Sequence, residues 1–446
     1  MNGIALDGIR QPGPAPRRPQ PRLLARSRMA GAVVAALFMA MIAGGTAVAV
    51  GPDVAALASL KAAVPPGHYL VLFQNNAELR ASGGFIGSFA VVDVGQYGVE
   101  RYVVDTNIYK RDAAFTQQND IAMPAPMAGL APELAMRDAN FDLDFRDAAR
   151  RVAWFYAQEG GERVDGVIAV NASVVQDLLR LTGPVAVQGL QQPLDADGFF
   201  TVLATAIERD YFADPARQAA NEPKSLLLDL ARALVRRLAD PRVAVRLPRL
   251  LRQELAEKQL VLFHADPAVE AAVVAHGWGG AVADTAGDYL FINNELVAGS
   301  KSSLFVGQDA QLAVTRSDDG SYHHVLTLRR THAGTGAWPD GKNTDYVRVA
   351  VPQGSVLESA RLNGQALDAV DRTTEAGKSV FGTRMDTDPG QTSTLQLTYT
   401  VPSLPAPYAL YIQKQPGVLV ERYGVSLDGR PLFSGDTVSD TLVAAD

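Results

Sequence analysis

The sequence predicts an α/β domain, a mixed sheet flanked by helices, followed by an all-β sandwich, with one transmembrane helix ahead of both. Three observations predict it. Strand-like and helix-like runs alternate between residues 67 and 303, short alternating runs spaced by Gly, Pro and Asp fill 304–446, and a charge-free apolar run occupies 30–50.

Ala30 to Val50 is 21 residues without a charge, where about 20 suffice to cross a bilayer as a helix. The small-residue spacing Ala47-Val48-Ala49 fits a signal-peptidase site as well, but the run exceeds the roughly 7–15 apolar residues of a signal peptide. The anchor is therefore expected to stay. Residues 1–29 hold six arginines (Arg10, Arg17, Arg18, Arg22, Arg26, Arg28) against one acid, Asp7. Such a basic lead stays in the cytoplasm, which places everything after Gly51 outside a plasma membrane that the chain crosses once. No nucleotide cofactor is expected there. Residues 51–66 read as a spacer ending in Val64-Pro65-Pro66, where helix is disfavoured.

The α/β domain is expected over 67–303. His68 to Phe73 is a compact apolar strand, and Gly87–Val94 with Val99–Val104 forms a hairpin about Gly95 and Gly98. Ala148, Val152, Phe155 and Tyr156 mark a helix within Phe145–Glu159; Val164–Val170 is a strand, with a helix from Ala172 to Leu181. Two further helices are read at Leu194–Phe212 and Ser225–Leu238, the second with leucines at 226, 227, 230 and 234 on one face. Gln259–Phe263 and Asp288–Ile292 supply more strands to this layer. The sandwich, 304–446, shows Tyr322–Leu328, Asp345–Val351 and Thr394–Val401 among its strands.

Composition excludes several function classes. The chain has no cysteine, hence no disulfide, thiolate nucleophile or cysteine-bound metal. Net charge is −7 although the lead is basic, so the remainder is more acidic still. Nucleic acid, which is bound through Lys and Arg on phosphates, is an improbable partner. The six histidines never form H-E-x-x-H, and neither G-x-S-x-G nor Ser-x-x-Lys occurs. A near match to a phosphate-binding loop, Gly336 to Asn343, ends in Asn instead of Ser or Thr and contains Pro339, so it reads as a loop between sandwich strands.

One segment carries more information. Phe73-Gln-Asn75-Asn76-Ala-Glu78-Leu-Arg80-Ala-Ser-Gly83-Gly84-Phe-Ile-Gly87-Ser88 crowds amides, an acid and an arginine at the end of a strand, then adds glycines. Gly83 and Gly84 allow backbone N–H groups to converge on an anion, and Arg80 offers a planar fork of donors. The competing reading has Asn75 and Asn76 ending the strand, Glu78 paired with Arg80, and the glycines forming a turn.

The run FQNNAELRASGGFIGSF resembles the signature of a bacterial envelope family, the domain of unknown function 4012, whose members typically carry an N-terminal membrane anchor. Asp105-Thr-Asn-Ile-Tyr109, Val164–Val170 with Leu181–Val185, Gly287–Asn294 with Gly299–Ser302, and Gln413-Lys-Gln-Pro-Gly417 resemble further landmarks in order, over roughly 65–446. A more distant resemblance links VDGVIAVNASVVQDLLRLTGPVAV to the LytR-CpsA-Psr phosphotransferases, which transfer glycopolymers from polyprenyl pyrophosphate carriers to the cell wall with magnesium. Here Pro184 replaces a glycine of that pattern, and Tyr109-Lys110-Arg111-Asp112 stands where an Arg-Asp pair is expected. This resemblance implies an α/β domain of that architecture, Arg80 and Asp105 as catalytic groups, and Asn75, Asn76, Glu78, Gly83, Gly84, Lys110, Arg111, Lys224 and Lys301 as ligand contacts. It implies magnesium on Asp105 and Asp165, with Arg217 or Lys224 opening the helix at 225. The implied partner is a polyprenyl-pyrophosphate glycan or cell-wall polymer. A non-catalytic envelope module binding glycan or protein is the alternative. Convergence of Arg80, Lys224 and Lys301 on one pocket would favour the first reading, and salt-bridged, scattered cations the second.

Overall fold

The structure is a computed structural model that describes residues 52–209 and 225–445. The expected lead and transmembrane helix lie outside these residues, as do Arg217, Lys224 and residues 210–212 of the helix expected from Leu194. Among the described residues no helix is long and apolar enough to cross a membrane.

The first layer contains α1 (Pro52–Ala63), β1 (Gly67–Arg80), β2 (Gly83–Gly95), β3 (Gly98–Asp105), α2 (Ile108–Thr116), α3 (Phe145–Gln158), β4 (Gly166–Asn171), α4 (Ala172–Thr182) and α5 (Phe199–Ala204). It continues with α6 (Ser225–Leu238), α7 (Pro241–Ala244), α8 (Leu247–Ala256), β5 (Leu260–His264) and α9 (Pro267–Ala275). Five strands pair in the order β3-β2-β1-β4-β5. β1 and β4 run parallel and the other pairs antiparallel, so the sheet is mixed as expected.

Alternation along the strands gives each face its own core. Tyr69, Val71, Ile168, Val170 and Leu262 face Leu60, Leu178, Leu234 and Leu251 of the helices on one side. Leu70, Leu72, Val167, Ala169 and Val261 meet Phe145, Val152 and Phe155 of α3 on the other. α3 is capped by Asp144, whose carboxylate accepts from Arg146 N, satisfying a backbone donor that the helix itself leaves unpaired.

The sandwich is built from β6 (Asp288–Leu296), β7 (Val306–Arg316), β8 (Tyr322–His332), β9 (Asn343–Val351), β10 (Val356–Leu362), β11 (Gln365–Ala366), β12 (Asp371–Glu375), β13 (Lys378–Thr387), β14 (Thr392–Val401), β15 (Ala409–Gln413), β16 (Glu421–Leu427), β17 (Arg430–Thr437) and β18 (Thr441–Ala444). A seven-stranded sheet, β11-β10-β14-β8-β7-β16-β17, faces a six-stranded one, β12-β13-β9-β6-β15-β18. Leu290, Ile292, Leu312, Leu326, Val349 and Leu397 lie in the core between them.

The structure departs from the sequence reading in four places. Residues 52–63, read as part of a spacer, form α1, whose Leu60 and Ala63 join the apolar core of the first layer. The strand at 288 belongs to the sandwich, between β9 and β15, so the sandwich begins before residue 304. β6 is buried at all nine positions. Ile292 enters the sandwich core, while Tyr289 and Phe291 pack with Leu143 of the first layer. A strand covered on both faces has the apolar texture of a central α/β strand. β1 runs seven residues past Phe73, to Arg80. The helix expected over 194–212 is α5 followed by one π-helical turn, Thr205–Arg209, and Leu194 instead bridges to Val185.

Because Ile292 is fully buried between the sheets, Ile292→Ala should lower unfolding free energy by about 2–5 kcal/mol, read as an earlier urea midpoint.

Candidate functional site

β1 is not straight at its C-terminal end. Its ladder with β2 shifts register between Phe73 and Gln74 and again between Asn75 and Leu79, then closes with Leu79 opposite Gly84 and Arg80 opposite Gly83. The bulges leave Asn76, Ala77 and Glu78 outside the ladder and carry the strand under the sandwich. Both glycines are buried. A Cβ on Gly83, whose φ is +136°, would stand 1.9 Å from Gln74 Oε1, and one on Gly84 2.2 Å from the Asn75 carbonyl carbon. The pair permits close backbone packing inside a hairpin and does not form an open anion cradle.

Arg80 is 1% exposed. Its Nη2 donates to Glu78 at 3.2 Å and to Asp138 at 3.1 Å, and its Nη1 to the carbonyls of Leu296 at 3.1 Å and Leu79 at 3.2 Å. The guanidinium lies 5.4 Å from the Phe85 ring centroid. Burial alone would depress its pKa, but Glu78, Asp138 and Glu295 outweigh that and raise it. Lys301 Nζ reaches the other Glu78 oxygen at 3.3 Å. Asp138 is also held by Arg137 at 3.2 Å, and Arg137 reaches Asp112 at 2.8 Å. Opposite charges thus alternate from Lys301 through Glu78, Arg80, Asp138 and Arg137 to Asp112.

A second, mostly neutral network lies beside it. Asn76 Nδ2 donates to Ser173 Oγ at 3.3 Å and to the Gly417 carbonyl at 2.9 Å, while its Oδ1 accepts from Ser173 N. Ser173 Oγ donates to Gln259 Oε1 at 2.6 Å, and Gln259 Nε2 to the Val418 carbonyl at 2.6 Å. Gln415 Nε2 donates to the carbonyls of Arg80 and Asn294, and its Oε1 accepts from Asn294 N. Lys414 Nζ is surrounded by the carbonyls of Glu257, Gln415 and Val418. Burial draws its pKa down to about 8.

The parallel pairing of β1 and β4 ends with Gln74 opposite Asn171, where β4 stops and β1 continues. The crevice beyond the carboxyl ends of parallel strands is where open α/β sheets receive ligands. Here Gly417 and Val418 of the sandwich hydrogen-bond into that position.

The structure brings Arg80, Glu78 and Lys301 together, with Asn76, Gly83 and Gly84 beside them. Asn75 accepts from Ala77 N. The other predicted residues are elsewhere. Asp105, at the end of β3, accepts from Arg111 Nε at 2.8 Å and from Asn107 N at 3.0 Å. Arg111 packs over Phe89 and Tyr156 and donates to the Glu159 carbonyl. Lys110 is exposed on α2. Asp165 accepts from His68 N at the opposite end of β1 from Arg80. Asp105 is level with Phe89, itself opposite Leu72, so four β1 residues separate its level from that of Asp165. At about 3.3 Å per residue these acids stand over 10 Å apart and cannot share a magnesium ion. Among the described residues no group of three acidic or histidine side chains is arranged to hold a metal.

Sequence reasoning missed Asp138, Ser173, Gln259 and the carboxyl pair Asp112–Glu159. Asp138 sits in the irregular stretch between α2 and α3, where no periodicity announces burial. Burial first, and Asp112 second, push the Glu159 carboxyl up to about 8; Asp112 is raised as well, by burial against the pull of Arg137. The near phosphate-binding loop lies between β8 and β9, as read. Its Gly336 and Gly341 N–H groups donate to Asp340. A hollow of about 370 Å³ lies on the sandwich, lined by Val356, Arg372, Thr374 and Phe381 among others, with one charged side chain.

Residues 65–207 match the family model described as a protein of unknown function, DUF4012. The landmarks at 287–302 and 413–417 fall outside the matched residues. No curated protein matches the chain by sequence. Among solved structures, a Legionella pneumophila protein named for nutrient binding is similar at 10% identity and TM-score 0.24, over 31% of this chain and 54% of that one. An M1 zinc metallopeptidase of Deinococcus radiodurans gives 16% and 0.17, over 31% and 38%. Leukotriene A4 hydrolase of Saccharomyces cerevisiae gives 9% and 0.17, over 27% and 22%. The chain thus spans about half of the first and less than two fifths of the others, and at these scores the likenesses carry no argument.

Two outcomes follow from the geometry. Arg80→Met leaves Glu78 to Lys301 and Asp138 to Arg137, removes the cation they share, and should cost about 3 kcal/mol in chemical denaturation; Arg80→Lys, a point charge in place of a fork, should not restore wild-type stability. Glu159 holds its proton in the folded state above the ordinary glutamate range, so its contribution falls as pH rises toward about 8. Glu159→Gln should make the loss of stability between pH 5 and 8 shallower, as followed by urea midpoints across that range.

Proposed function

Residues 65–207 belong to the DUF4012 family, and on that premise we propose that the chain is a membrane-anchored, extracytoplasmic envelope protein whose α/β layer and sandwich act together as a non-catalytic structural module. What carries this reading is the crevice at the ends of β1 and β4. It is filled by the chain's own 417–418 segment, and the cations beside it are consumed, because Arg80 and Lys301 both pair with Glu78. A pyrophosphate needs several uncommitted donors to match its charge and to stabilise the oxygen that leaves.

Magnesium does not fit the residues expected to hold it. Asp105 is engaged by Arg111, and Asp165 lies at the other end of β1. The apolar run 30–50 behind an arginine-rich lead supports the anchor and the outward placement. The two fused layers then form a rigid body on a tether, suited to holding envelope polymer or protein at a set distance from the bilayer.

The test is magnesium-dependent phosphate release from a short polyprenyl pyrophosphate by the full chain in detergent, with direct binding measured alongside. The expected result is release at the blank rate and no saturable binding. Turnover or tight binding that disappears in Arg111→Ala would replace this reading with carrier-lipid chemistry at the Asp105–Arg111 corner.

A further inference from the structure

Among the described residues of this acidic chain, 225–256 form a concentrated basic region that the site leaves unused. Residues 225–256 contain seven arginines, at 232, 236, 237, 242, 246, 249 and 252, against three acids, Asp229, Asp240 and Glu254. The acids do not cancel them. Asp229 pairs with Arg232, Asp240 caps α7 by accepting from Arg242 N, and Glu254 is buried, with its carboxyl pushed up to about 9 first by burial and then by Asp177. Arg236, Arg237, Arg242, Arg246 and Arg249 are exposed, and none has a carboxylate partner among the described residues.

The fold packs α8, which carries Arg249 and Arg252, against α1, the helix that follows the apolar run in the sequence. α8 turns Leu247, Leu251 and Leu255 inward, into one apolar cluster with Leu60 and Ala63 of α1. Its outward positions include Arg249 and Arg252. α1 packs on α8 and α9, and at about 1.5 Å per residue its first residue, Pro52, lies roughly 12 Å from Leu60. The apolar run ends at Val50, two residues before Pro52.

Resting on the anchor reading above, we propose that the arginine face formed by the end of α6, α7 and the outer side of α8 docks on the anionic headgroups of the bilayer in which the chain is anchored. Each arginine within a Debye length of an anionic surface adds to the attraction, so five exposed guanidiniums fix one orientation of the tethered body. The exposed Val245 between Arg242 and Arg246 adds an apolar contact at the same level.

The experiment uses the full chain reconstituted in vesicles of phosphatidylcholine alone or equimolar with phosphatidylglycerol, with amide hydrogen exchange read over residues 236–252. Alkaline carbonate washing tests the anchor separately. Exchange about tenfold slower in the anionic vesicles supports the proposal, with the protection lost at molar salt and in the double variant Arg246→Glu, Arg249→Glu. Equal exchange in both vesicles by chain that resists carbonate overturns the docking and spares the anchor. Release by carbonate overturns the anchor reading itself. Protection by added soluble polyphosphate in zwitterionic vesicles, without any from phosphatidylglycerol, also overturns the proposal, because the face then takes a free polyanion.

Discussion

A buried guanidinium at the seam of two domains is the constraint on which this molecule depends. Removing Arg80 from water carries a desolvation cost of several kcal/mol. That cost is offset only where two carboxylates, two carbonyls and an aromatic face are held in one geometry. Glu78 comes from the same strand, Asp138 from the stretch before α3, and the Leu296 carbonyl from the end of β6. Three distant parts of the chain must be in place together for the charge to be matched. The α/β layer and the sandwich therefore meet in a single register.

Neighbouring polar groups extend the same logic. Asn76, Ser173, Gln259 and Gln415 are all 1% exposed or less, and their donors and acceptors are matched across the seam. A polar network of this kind rewards completeness, since any unmatched partner in low dielectric is costly. Asn76, which looked like a ligand contact in the sequence, thus acts as a fastener. Amide-rich, glycine-rich segments serve both purposes with the same chemistry, and burial decides between them.

Much of the architecture was legible. The hairpin about Gly95 and Gly98, the strand Val164–Val170 with its helix, and the sandwich texture after residue 304 were read from periodicity and turn residues. The Glu78–Arg80 pair was one of two readings open at that segment. β6 was misplaced because a strand buried on both faces looks the same in either sheet. The convergence of the landmarks was not legible at all. Nothing local in Gln413–Gly417 says that Gln415 meets the Arg80 carbonyl, a contact spanning most of the chain. Asp138 was invisible for a related reason: it comes from a stretch without period, and its importance is set by its partner.

The most direct test of the seam is native-state amide exchange at residues 79–84 and 293–296, compared with the slowest-exchanging core strands of both domains. If Arg80 locks the layers into one body, these amides open only with global unfolding and share its free energy and denaturant slope. Exchange through a smaller, local opening, with the domain cores still protected, would show a hinge at this position and contradict the account.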